Sequence, residues 1–267
     1  MTSRSIQAFN DLRVPQGAVA IHWFGQSSFA LKDEQGTVVL VDPYFPRERP
    51  PEKFIHAEPP VDEAQVRTDY VLLTHDHRDH TCAESIHRIA AAWPGARFAG
   101  PVESVRRAIE TGVDPARTQV VQAGEAVSLG TMTAHAVYSK PPEGDPRAGI
   151  PAPDVTHLGY VVEAGNVRIY ISGDPIHTFA NLEELTSAVA RLRPDVGLLT
   201  THPTEGEFPY FDGCVRMAQA VGIKTAIPSH YQCFVKRNYD PAEWAACFEG
   251  TGIETRIIPY NTWIVYP

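Results

Sequence analysis

The segment Thr74-His75-Asp76-His77-Arg78-Asp79-His80 puts three histidines beside a carboxylate within six residues, in a chain that holds only 11 histidines among 267 residues. Imidazole nitrogens and carboxylate oxygens suit zinc or manganese, with iron as a third candidate. A turn at a strand end can aim His75, His77, Asp79 and His80 into one cleft. His75 and His77, two apart, would serve one ion while Asp79 and His80 serve a second. The bland alternative is a solvated polar turn, and the density of histidines makes that coincidence the weaker explanation. One or two divalent metal ions are therefore the expected cofactor. Such ions lower the pKa of a bound water toward neutrality, and Asp79 is placed to orient that nucleophile or carry its proton.

The cluster needs a strand before it and a helix after it, and the sequence supplies both. Tyr70–Leu73 is a short apolar run that stops at the histidines. Cys82–Ala92 has helical spacing and ends before Trp93-Pro94-Gly95, a strong stop. Strand character appears earlier at Ala18–Trp23, Ser28–Leu31 and Val38–Val41. It returns at Gln119–Val121, Ala126–Leu129 and Thr131–Tyr138. Leu158–Ala164 and Val167–Ser172 flank Gly165-Asn166, a two-residue hairpin signal. Residues Glu103–Thr111, Leu182–Leu192, Cys214–Val221 and Pro241–Phe248 read as helices. Val196–Thr200, Thr225–Ile227 and Thr262–Val265 read as strands. Between them, residues 141–153 carry five prolines and two glycines and form a long loop expected to cover the pocket. The order predicts one α/β domain over 1–267, built from two β-then-α halves of about 1–125 and 126–267.

Bulk properties narrow the function. The chain has 23 basic and 32 acidic residues, a net charge of −9, which argues against an extended nucleic-acid surface. A small-molecule substrate is the expected partner, and a homo-oligomer is compatible with the sequence. No apolar stretch is long enough to span a membrane and no signal peptide is visible. Cys82, Cys214, Cys233 and Cys247 form no C-x-x-C pair and read as incidental thiols. A cytoplasmic location is the resulting expectation.

The cluster T-H-x-H-x-D-H resembles the hallmark of the metallo-β-lactamase superfamily. Val41-Asp42-Pro43-Tyr44 looks like that family's first motif, with Asp42 orienting the cluster rather than binding metal. Ser172-Gly173-Asp174 looks like the motif of its bridging carboxylate, and Pro228-Ser229-His230-Tyr231 like its last metal histidine. The resemblance implies a four-layer αββα sandwich with the site at one edge between the sheets. Trp23-Phe24-Gly25-Gln26, the Ser-Gly-Asp hairpin and Ala226-Ile227-Pro228-Ser229-His230 look most like the L-ascorbate-6-phosphate lactonase (UlaG-like) branch.

The family often places a third histidine after the strand ending Ala136-Val137-Tyr138, where this chain has none. His135 and His157 are the candidates. A turn at Gly165-Asn166 sets His157 opposite Asp174 on the same face of the sheet. His135 lies mid-strand and reads as a packed residue, so His157 is the assignment. His22 reads as structural, and His202 as a pocket residue or a cap with equal warrant. Lys236 and Arg237 can meet a phosphate or carboxylate, although exposed basic pairs usually form a solvated face. Tyr231 can donate to substrate. The resemblance implies hydrolysis of a small polar ester or lactone, phosphorylated or not. The alternatives are a phosphodiesterase on a small cyclic or nucleotide-like ester and a non-catalytic metal-binding or regulatory protein.

Overall fold

The computed structural model describes residues 5–267, so Met1–Arg4 of the expected 1–267 domain lie outside the described residues. The first sheet gathers β1 (Val19–Trp23), β2 (Phe29–Asp33), β3 (Val38–Val41), β4 (Tyr70–Leu72), β5 (Arg97–Gly100) and β6 (Thr118–Val120). The second gathers β7 (Ala126–Leu129), β8 (Met132–Tyr138), β9 (Leu158–Ala164), β10 (Val167–Ile171), β11 (Val196–Thr200), β12 (Thr225–Ser229) and β13 (Glu254–Thr255). The last strand, β14 (Thr262–Tyr266), crosses back to pair with β1, giving the orders β14-β1-β2-β3-β4-β5-β6 and β13-β12-β11-β10-β9-β8-β7. The division near residue 125 thus separates the sheets except for this returning strand.

Each sheet begins antiparallel and turns parallel, at β3–β4 across the long connection 42–69 in the first and at β10–β11 across a helix in the second. The helices are α1 (Ile6–Asp11), α2 (Ala83–Ala92), α3 (Val102–Glu110), α4 (Glu183–Arg191), α5 (Phe211–Val221) and α6 (Pro241–Ala246). Alternation along β1 divides the core. Val19, Ile21 and Trp23 join the cluster between the sheets, whereas Ala20 joins the one beneath α2 and α3. On the outer side of the second sheet, Leu185, Val189, Met217 and Val221 bring α4 and α5 into the core. Two mixed sheets flanked by helices are the αββα sandwich expected from the sequence. The six-residue α1 buries only Phe9 and is capped by Ser5, too short to leave a periodic signal.

The Gly165-Asn166 turn sets the expected register, pairing Ala164 with Val167 and Tyr160 with Ile171. Gly165 has φ 60°, which the turn requires. Beyond β10, Gly173 has φ 57°, and a Cβ there would lie 2.5 Å from the Leu158 carbonyl oxygen. Only glycine lets this turn close against β9 and deliver Asp174.

His22 is buried on the outer face of β1, with Nε2 3.1 Å from Asn261 Oδ1 and its ring 4.2 Å from that of Phe24. Burial lowers its pKa from 6.5 to about 3. Between those values the unfolded chain binds a proton that the folded chain refuses, so this contribution is intact above pH 6.5 and is lost as pH falls. At pH 5 the loss is about 2 kcal/mol. His22→Phe should show a smaller fall in thermal midpoint between pH 7 and pH 5 than the wild type. An equal fall in both proteins would refute this.

Candidate metal centre

The candidate ligands all follow or precede strand ends, and hydrogen bonds between the sheets hold those ends together. Leu158 N donates to Thr74 O at 2.9 Å, and Tyr160 Oη donates to Leu73 O at 2.9 Å. On the other side, Gln26 N donates to Tyr231 O and His230 N donates to Gln26 O, both at 2.9 Å. Gln26, Asp42 and His230 have φ of 53°, 42° and 71°. Left-handed backbone in non-glycine residues is costly, and its concentration here marks a region held for a purpose other than folding.

Asp42 organises the cluster loop. Its Oδ1 accepts from Thr74 N at 2.8 Å, and its Oδ2 accepts from Thr74 Oγ1 at 2.5 Å and lies 2.8 Å from His80 Nδ1. A proton on His80 Nδ1 leaves the Nε2 lone pair free, which is how an outer carboxylate prepares an imidazole ligand.

His80 Nε2 faces Asp174 Oδ1 at 3.3 Å, and His230 Nε2 is 3.7 Å from the same oxygen. Asp174 Oδ2 lies 3.5 Å from His75 Nε2. The Asp174 carboxylate therefore sits between two groups of donors. On one side, His75, His77 and His157 bring a ligand atom each within 4.8 Å of one another, and His75 and His157 stack with centroids 4.1 Å apart. On the other, Asp79, His80 and His230 form a similar group. All seven sequence-assigned residues thus converge.

The donor chemistry fits a cation. Buried His75 Nε2, His80 Nε2, both ring nitrogens of His157, Asp174 Oδ1 and His230 Nδ1 have no hydrogen-bond partner. Each buried orphan costs about 1–3 kcal/mol unless something satisfies it. Burial, with His80 and His157 nearby, lowers the pKa of His75 well below the ordinary value. Burial and Lys140 lower that of His157 to about 3, and burial also lowers that of His230. These three rings are neutral near pH 7, the form in which imidazole coordinates metal. His80 differs: burial disfavours its charge, but Asp174 and Asp42 outweigh it and raise the pKa well above normal. For Asp174, burial pushes the pKa up, yet His80 and His230 hold it well below the usual carboxylate range.

Two neighbours escaped the sequence reading as site residues. Gln26 Nε2 donates to Asp79 Oδ2 at 2.7 Å and lies 3.0 Å from His230 Nε2, so one amide aligns ligand candidates from both halves. Asp154, at the end of the proline-rich stretch, lies 3.1 Å from His77 Nε2 although its side chain is 72% exposed. An isolated aspartate in a loop carries no local signal for such a contact. Asp154 follows residues 141–153 directly, but none of those residues lines the cleft beside Asp79.

Other candidates resolve differently. His135 is partly exposed at 29%, with Nε2 3.7 Å from Glu163 Oε2, rather than packed in the core as expected. It pairs across the sheet with Ala126 and Val161 and joins none of the metal-capable groups among the described residues. His202 Nδ1 accepts from Thr204 N at 3.2 Å and Glu205 N at 3.0 Å, a cap rather than a ligand. Tyr231 is buried, its ring 4.5 Å from that of Trp23 and 4.8 Å from that of Tyr239, so it packs instead of lining the cleft. No helix among the described residues is long and apolar enough to cross a membrane.

Residues 20–230 match the family described as Beta-lactamase superfamily domain. A UPF0173 metal-dependent hydrolase of Pyrobaculum neutrophilum is 27% identical over 232 residues, covering 86% of this chain and 91% of that protein. One from Myxococcus xanthus is 28% identical over 231 residues, covering 82% of this chain and 72% of the relative. Among solved structures, the metallo hydrolase Igni18 from Ignicoccus hospitalis aligns with a TM-score of 0.65 at 18% identity, covering 94% of this chain and 99% of that one. An isothiocyanate hydrolase from Delia radicum gut bacteria gives 0.69 at 15% identity, covering 92% and 98%. At such identities the structural likeness speaks to the fold.

Proposed function

The chain belongs to the Beta-lactamase superfamily domain family, and from that premise we propose that it is a metal-dependent hydrolase of a small polar ester or lactone. The observation carrying this reading is Asp174, which lies between two groups of candidate ligands that include buried, unpartnered nitrogens of His75, His80 and His157. In this reading His75, His77 and His157 would hold one divalent ion and Asp79, His80 and His230 a second, with Asp174 available to either. Such ions supply Lewis acidity and a water acidic enough to react near neutral pH. The names of the Pyrobaculum and Myxococcus relatives support the same chemistry.

The protein's own groups supply positioning and proton transfer. Asp42 and Thr74 fix the ring of His80, and Gln26 holds Asp79 against His230. Asp79 is the member of the second donor group that also borders the adjoining cleft. It accepts one bond from Gln26 and is positioned to take a proton from the attacking water and return it to the leaving oxygen. Ester or lactone preference follows from the likeness of the Trp23–Gln26 and Ser172–Asp174 stretches to the lactonase branch.

A screen of lactones, carboxylic esters and phosphodiesters tests the proposal, each run with and without chelator. Chelator-sensitive turnover of a lactone or ester is the expected result. Turnover confined to phosphodiesters would replace the substrate class, and none with any compound would favour a non-catalytic metal-binding protein.

A further inference from the structure

Beside Asp79 lies a cleft of about 480 Å³, within the size range of small-molecule sites. Three separate segments build it: the chain after β3 with Tyr44 and Lys53, the cluster loop with Arg78, and the turn after His230 with Phe234 and Lys236. Its floor is aromatic. Tyr44, Phe54 and Phe234 pack with ring centroids 5.4–6.4 Å apart, and the Lys53 ammonium lies 5.4 Å from the Phe54 ring and 5.8 Å from that of Phe234.

The rim is cationic in a chain whose net charge is −9. Arg237 is engaged by Glu205 at 3.0 Å and Glu207 at 3.4 Å. Lys53, Arg78 and Lys236 form no ion pair among the described residues, and Glu52 and Asp79 are the carboxylates that line the cleft with them. Backbone bonds tie the Lys53 and Lys236 segments together: Ile55 N donates to Cys233 O at 2.9 Å and Val235 N donates to Lys53 O at 3.0 Å. Lone surface cations mean little. Three that converge from separate segments over an aromatic floor, beside the candidate metal centre, form a binding site for a particular chemistry.

We propose that this cleft seats an anionic group of the substrate, a carboxylate or phosphate joined through an aryl or alkyl body to the bond that is hydrolysed. The body lies on Tyr44 and Phe234, and Lys53, Arg78 and Lys236 neutralise the charged end. This rests on the hydrolase reading for its orientation toward Asp79, but anion binding itself can be measured without turnover.

Calorimetry on the full-length, metal-loaded protein with phenyl phosphate, 3-phenylpropionate and neutral benzyl alcohol tests it. At least one anion should bind clearly more tightly than benzyl alcohol and weaken as salt rises. The better anion distinguishes a phosphate from a carboxylate end. Arg78→Gln and Lys236→Gln should each weaken that anion about tenfold, equivalent to about 1.4 kcal/mol, without changing metal content. Benzyl alcohol binding as tightly as both anions would overturn the proposal. So would an anion affinity that disappears with the metals but ignores both substitutions, since it would place the anion on the metals. Failure of the hydrolase reading looks different: anion binding would persist while no chelator-sensitive turnover is found.

Discussion

His157→Ala should lose metal and lower kcat/KM by about 100-fold or more, on the scale of a lost contact at a metal centre, while its thermal midpoint in metal-free buffer barely moves. Both ring nitrogens of His157 are buried without partners, so truncation breaks no hydrogen bond of the protein itself. The ring stacks on His75 and shares a donor group with His75 and His77, so metal binding is the property at risk. His135→Ala is the matched control. At 29% exposure and 3.7 Å from Glu163, its contact there is worth at most about 0.5 kcal/mol, and its loss should leave metal content unchanged. Elemental analysis and thermal melts of both variants decide the assignment. Metal lost from the His135 variant and kept by the His157 variant would reverse it.

Asp42→Ala should cost about 3–5 kcal/mol, because it strands Thr74 N and removes the nearest partner of Thr74 Oγ1 and of His80 Nδ1 in a buried site. Asp42→Asn separates the structural effect from the metal effect. Asparagine tolerates the left-handed backbone at φ 42°. Its carbonyl oxygen can still accept from Thr74, but its amide donates where the carboxylate accepted. His80 Nδ1 must then accept, which moves the proton to Nε2, the nitrogen facing Asp174. Metal affinity should fall 10–100-fold with a smaller loss of stability than in Asp42→Ala. An Asp42→Asn protein that keeps its metal at wild-type affinity would show that the tautomer is not fixed in this way.

Legibility in the sequence followed range along the chain. The histidine cluster is local, and the hairpin register came from one two-residue turn, so both could be read directly. The site's gathering depends on contacts that no period records. Gln26 reaches His230 across 204 residues, and Asp154 reaches His77 across 77. The strand Thr262–Tyr266 was visible as a strand, but its return to β1 was not, because its partner is fixed by packing and not by neighbouring residues. Tyr231 shows the opposite error, adjacency to His230 suggesting a substrate role for a ring that packs on Trp23. A mid-strand place suggests a core position for His135, yet it faces Glu163 near the surface.

If the donors around Asp174 hold divalent metal and hydrolysis depends on it, metal content and activity must change together. Metal content and turnover, measured on one preparation before chelation, after it and after adding back zinc or manganese, test this most directly. Activity should fall in step with metal and return with it, while Asp174→Ala retains neither under any condition. Full turnover by protein shown to be metal-free would contradict it.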